Sequence, residues 1–135
     1  MLAAETFRPQ IGSMWAWLIA SIVLGAFGQI FMSIAMKGAG LVPRDGSLIE
    51  LVSYYFNAAV SLPMFGAVAS YGVSFILWLG VLSAKDLSLA RPIMSLGYLI
   101  TMAYGMYAGE NVTLGRILGT TLIVVGLFFV VKSDV

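Results

Sequence analysis

The stretch IGSMWAWLIASIVLGAFGQIFMSIAM, from Ile11 to Met36, contains no charged side chain. About 20 consecutive apolar residues are enough to carry a helix across a bilayer. Trp15 and Trp17 stand near its start, where an interfacial aromatic belt belongs, and Lys37 follows its end. Although it comes soon after Arg8, the run is too long for a secretory leader and shows no small-residue cleavage site, so it reads as a retained first helix. Three further apolar segments follow. They cover Ala58 to Leu82 with Pro63 in the first turns and Trp78 near the end, Leu87 to Tyr107, and Leu114 to Val131.

The rest of the composition agrees with that reading. Of 135 residues, 61% are hydrophobic and only 10% are charged, with a mean hydropathy of +1.01. Soluble domains carry about a quarter charged residues, so this chain cannot cover a globule with polar surface. Four spans use ~80 residues, leaving short loops and tails. The expected fold is an all-α integral membrane protein, a single four-span domain over residues 1–135. Leu48 to Asn57, carrying Glu50, Tyr54 and Tyr55, is too short to span and reads as a short interfacial helix between the first and second spans. Pro92 falls in the first turns of the third span, where a missing amide proton costs least.

Several function classes are excluded at this stage. A net charge of +1 and a pI near 8.0 do not make a nucleic-acid surface. Without cysteine or histidine there is no thiolate nucleophile, disulfide or usual zinc ligand. The six carboxylates fall mostly in loops, so no catalytic residue, metal or cofactor is expected, and the chain does not read as an enzyme. An even number of spans places both termini on one side. On that side Arg8, Lys85 and Lys132 are matched by Lys37, Arg44 and Arg116 opposite, and adding Arg91 barely tips the balance. This level tally leaves orientation open and is compatible with dual insertion and an antiparallel pair.

Arg91 is the most informative residue, because a charge about one turn inside a span is costly and faces the protein interior or a cavity. At helical spacing it shares a polar or small stripe with Ser95, Tyr98, Thr101 or Met102, and Gly105. A guanidinium beside hydroxyls suits a phosphate; alternatively Arg91 snorkels to lipid headgroups. Gln29 in mid-span, with Ser33 one turn on, serves helix packing or a headgroup contact. Ser21 and Gly25 form a small-xxx-small pair, and Tyr71, Ser74 and Trp78 share a face of the second span. Gly115, Gly119 and Gly126 line a smooth ridge on the fourth span and mark a dimer seam. Glu110 and Arg116, too far apart for a one-turn pair, read as solvated loop charges.

From Trp15 to Lys132 the layout resembles the small multidrug resistance family within the drug/metabolite transporter superfamily. The residues that carry the resemblance are Gly28 with Met36-Lys37, Tyr71 with Ser74-Phe75, and Gly119 with Gly126. Cation exporters of that family have a glutamate three residues before the position of Gly28. Here Gly25 stands there and the first span holds no acid, so proton-coupled cation export is disfavoured. A closer resemblance is to the small subunits of undecaprenyl-phosphate-aminoarabinose flippases. It is carried by Gly28-Gln29, by Leu87-Ser88 with Ala90, by Ser95 with Gly97-Tyr98, and by Glu110, Val112-Thr113, Gly115-Arg116 and Gly119. That family usually has an aromatic residue where this chain has Arg91.

The resemblance implies a bacterial inner-membrane transporter that flips a polyprenyl-phosphate-linked sugar or aminosugar for lipopolysaccharide biosynthesis. It would work as a homodimer or as a heterodimer with a paralogous four-span subunit, among membrane lipids. Arg91, Gln29, Ser33, Tyr71, Ser95 and Tyr98 are the expected substrate-binding residues, in a pocket between spans one and three. The alternatives are a small polar or cationic metabolite exporter and a non-transporting accessory subunit of a membrane glycosyltransferase.

Overall fold

The structure, a computed structural model, describes residues 11–133, with side chains from Met14 onward; Arg8 lies outside the described residues. All regular structure among them is helical: α1 (Ile11–Ala39), α2 (Leu48–Ala59), α3 (Leu62–Leu82), α4 (Leu87–Met94), α5 (Gly97–Tyr107) and α6 (Leu114–Ser133). Three stretches are each long and apolar enough to cross a membrane, Met14–Ala39, Leu62–Leu82 and Leu114–Ser133. The third expected span is not one helix. It is divided between α4 and α5 at Ser95 and Leu96.

The division has a local cause. Pro92 is not in the opening turn of a long helix but at the sixth position of the eight-residue α4, so it denies the Ser88 carbonyl its usual amide donor. The Pro92 carbonyl then accepts from the Ser95 amide and the Ser95 hydroxyl, a local bonding pattern that bends helices. Leu96 donates to Ile93 three residues back, and both junction residues have the small ψ values of a 3₁₀ turn. Gly97 begins α5 with the weak helix propensity of its type.

The second apolar segment begins later than Ala58. Val60 and Ser61 separate α2 from α3, with Ser61 as N-cap and Pro63 just inside α3, where its missing amide proton is harmless. Helix α2 starts on a capping box between Ser47 and Glu50. The Tyr54 hydroxyl ties it to the Gly40 carbonyl at 2.7 Å, while Leu48, Ile49, Val52 and Phe56 stay exposed.

Successive long elements run antiparallel. At one end Lys85, in the α3–α4 link, lies 5.5 Å from the Trp15 ring centroid. At the other, Lys37 pairs with Glu110 of the α5–α6 link at 2.6 Å. The hydrogen bond and charge of Lys37 hold the Glu110 carboxyl below the usual carboxylate range.

The core occupies the Trp15 end, where Leu18, Ile22, Trp78, Val81, Leu89, Ile93 and Leu127 pack together. Helix α6 is anchored there, against α4. It is the least buried long helix, with 11% of its most apolar stretch buried against 44% for α1.

The principal seam is α1 against α3. The Ser21 hydroxyl donates to the Ser74 carbonyl at 3.0 Å, and the Ser74 hydroxyl donates to the Ser21 carbonyl at 2.7 Å. Both serines are buried. Two turns along α1, a Cβ on Gly28 would stand 3.3 Å from the Ala67 carbonyl oxygen and 3.3 Å from the Tyr71 amide nitrogen. These are backbone atoms that cannot swing aside. Gly28→Val should therefore part the seam and lower stability by about 1–3 kcal/mol, read as a fall in the thermal midpoint in detergent. An unchanged midpoint would contradict this account of the seam.

Candidate functional site

A cavity of about 330 Å³ opens between α1, α3 and the α4–α5 junction. Each wall follows from the packing of these helices. The close α1–α3 seam brings Gln29 opposite Tyr71, and the Gln29 amide donates to the Tyr71 hydroxyl at 3.5 Å. Below them lie Gly25 and Ser74. The 3₁₀ junction carries Ser95 to the wall and starts α5 so that Tyr98 and Thr101 follow on the same side. Arg91, from the last turn of α4, closes the set.

The site is cationic. The Arg91 guanidinium carbon lies 5.8 Å from the Trp78 ring centroid. Arg91 is at an exposed position, where a contact within ~6 Å of a ring face contributes about 0.5–1 kcal/mol. Trp78 is itself 9% exposed and belongs to the core, so a rigid base holds the charge. None of the residues lining the cavity is an acid. Across the helix break the Tyr98 and Leu99 amides donate to the Ser95 and Leu96 carbonyls, and none of the lining residues besides Arg91 carries a charge. The positive charge in the cavity is therefore that of Arg91.

Five of the six residues expected to bind substrate, Arg91, Gln29, Tyr71, Ser95 and Tyr98, line this one cavity. Ser33 does not. It lies one turn further along α1, half-buried and outside the cavity. Ser74 and Thr101 also line the site; the helical spacing from Arg91 pointed to Thr101, while Ser74 read as one member of an aromatic packing face. Gly115, Gly119 and Gly126 all lie on exposed positions of α6. Nothing within the chain stands within 4 Å of where a Cβ on Gly119 or Gly126 would be. Glu110 is not a free loop charge, since Lys37 holds it. That pair spans 73 residues of sequence and leaves no local signal.

No protein-family model and no solved structure matches the chain. It is similar to a Pseudomonas savastanoi pv. phaseolicola protein named a probable 4-amino-4-deoxy-L-arabinose-phosphoundecaprenol flippase subunit, ArnE. The two are 29% identical over 115 residues, which is 84% of this chain and 93% of the relative. Proteins of the same name from Yersinia pseudotuberculosis and Yersinia pestis are 39% identical over 62 residues, or 45% of this chain. The match spans about half the length of those two relatives, 54%. With three helices apolar and long enough to cross a bilayer, the chain is a multi-pass membrane protein.

A Cβ on Gly97 would meet Ile22 only at 3.8 Å, so the double variant Ser95→Ala, Gly97→Ala fits sterically. It removes the competing hydroxyl and improves helix propensity, and should gain about 1 kcal/mol. Hydrogen exchange at the Leu96 amide should slow as α4 and α5 join. Unchanged exchange would mean that packing, and not these two residues, imposes the break.

Proposed function

We propose that this protein is a subunit of a bacterial inner-membrane flippase for a polyprenyl-phosphate-linked sugar or aminosugar. In this reading α4 and α5 together form the third of four passes, and a second subunit, identical or paralogous, completes the transporter along the open face of α6. The observation that carries the reading is the gathering of Arg91, Gln29, Tyr71, Ser95 and Tyr98 around one acid-free cavity. The similarity to proteins named as aminoarabinose-phosphoundecaprenol flippase subunits supports it independently.

The chemistry follows from the problem. A phosphate headgroup cannot enter hydrocarbon bare, because an uncompensated charge there costs several kcal/mol or more. Arg91 offers a planar fork of donors to two phosphate oxygens, and Trp78 holds the fork in place. Gln29, Tyr71, Ser95 and Tyr98 present neutral donors and acceptors for sugar hydroxyls. The lipid tail need not enter the protein. It stays in the bilayer while the headgroup moves between ends, and discontinuous helices beside a central site are a recurring feature of transporters that alternate access. Export of a small cation is less compatible with a cavity that holds an arginine and no carboxylate.

Reconstituted with its partner subunit in vesicles, the protein should flip polyprenyl-phosphate-linked sugar. Arg91→Leu should slow that transport by about tenfold to a hundredfold, the loss expected for one charge-assisted contact of ~1.5–3 kcal/mol. Full activity of Arg91→Leu would overturn the phosphate assignment.

A further inference from the structure

The cavity at Arg91 is not the only space beside α5. A second, of about 470 Å³, lies between α5 and the first half of α6, and Tyr98 and Thr101 line both. It exists because α6 is anchored at its far end through Leu127 against α4, which leaves its opening turns standing away from α5. Among its lining residues are Glu110, Arg116, Gly119 and Thr120. The two charges there are not equivalent. Glu110 is engaged by Lys37 at 2.6 Å, the only ion pair among the described residues. The Arg116 guanidinium reaches only the Asn111 carbonyl, at 3.4 Å. It is in no ion pair among the described residues, although its positive charge acts on Glu110 beside it and adds to what holds that carboxyl low. One turn further on, Gly119 leaves the wall open, with no atom within 4 Å of where a Cβ would be.

The two arginines stand at opposite ends of the bundle. Arg91 follows the link that packs Lys85 on Trp15, whereas Arg116 follows the link that pairs Glu110 with Lys37. Between them runs α5, whose 11 residues cover about 16 Å, with Tyr98 and Thr101 shared between the two spaces. Resting on the function proposed above, we infer that the two cavities form one passage along α5. Arg116 is its second phosphate-binding residue and receives the lipid-linked phosphate at the end opposite Arg91. An anion leaving Arg91 then meets hydroxyls at mid-path and a second guanidinium at the exit.

The native chain contains no cysteine, so a single introduced thiol reports on the passage without any substrate. Gly119→Cys and Tyr98→Cys should react with a charged, membrane-impermeant thiol reagent at least about tenfold faster than Leu118→Cys on the exposed side of α6. Equal, slow reaction at all three positions overturns the passage. Undecaprenyl phosphate should protect Gly119→Cys; protection by inorganic phosphate alone overturns the lipid-linked assignment.

In vesicles, Arg116→Leu should slow flipping of polyprenyl-phosphate-linked sugar about tenfold and should remove the protection that undecaprenyl phosphate gives to Gly119→Cys. Arg116→Lys should recover most of the rate, which a misfolded protein would not. Wild-type flipping by Arg116→Leu overturns this inference and leaves the flippase reading standing. A wild-type protein that neither binds nor flips the lipid overturns both.

Discussion

The reciprocal pair of hydrogen bonds between Ser21 and Ser74 fixes the geometry on which the site depends. In a bilayer, lipid solvates apolar side chains as well as protein does, so the hydrophobic effect does not drive helices together. Close packing of small residues and interhelical hydrogen bonds must do so, each such bond contributing about 0.6 kcal/mol and at most ~1.7. Here two buried hydroxyls each satisfy the other helix's carbonyl, and Gly28 brings the backbones together two turns away. That seam sets Gln29 against Tyr71 and holds Trp78 in the core, where it underlies Arg91. A shift of α3 along α1 by a turn would dismantle the cavity wall and the support for its charge together.

The third apolar segment solves a different problem. A continuous helix from Leu87 to Tyr107 would satisfy its own backbone and present only side chains. Pro92, Ser95 and Gly97 interrupt it with a tight turn in which the Ser95, Leu96, Tyr98 and Leu99 amides still find carbonyl acceptors three residues back. The interruption separates two jobs. Helix α4 packs Leu89, Ala90 and Ile93 into the core and fixes Arg91 at one end. Helix α5 carries Tyr98 and Thr101 between the two cavities. The asymmetry of α6, anchored at one end and free at the other, leaves room for lipid or a second subunit beside it.

Much of this was legible in the sequence. Four apolar segments follow from run length and the scarcity of charge. One wall of the cavity, Arg91 with Ser95, Tyr98 and Thr101, follows from the expense of a charge inside an apolar segment and from counting along a helix away from it, whereas Gly105, on the same count, lines the other cavity. Three things were not legible. Ser33 shares an angular position near Gln29, but the cavity ends before it, since depth along a helix depends on where the neighbouring helices stop. The break at Ser95 and Leu96 depends on which donor the Pro92 carbonyl accepts, a competition that spacing does not decide. The Lys37–Glu110 pair joins residues far apart in the chain, so Glu110 and Arg116 looked like ordinary loop charges until the fold placed them beside a cavity.

The central claim is that a lipid phosphate is held at Arg91. Native mass spectrometry of the protein released gently from bacterial membranes, wild type beside Arg91→Leu, tests it most directly. The account predicts that the wild-type assembly carries a polyprenyl-phosphate mass and that the variant, assembled to the same extent, has lost it. Equal retention of that lipid by both proteins would contradict the account and reduce Arg91 to an anchor among the headgroups.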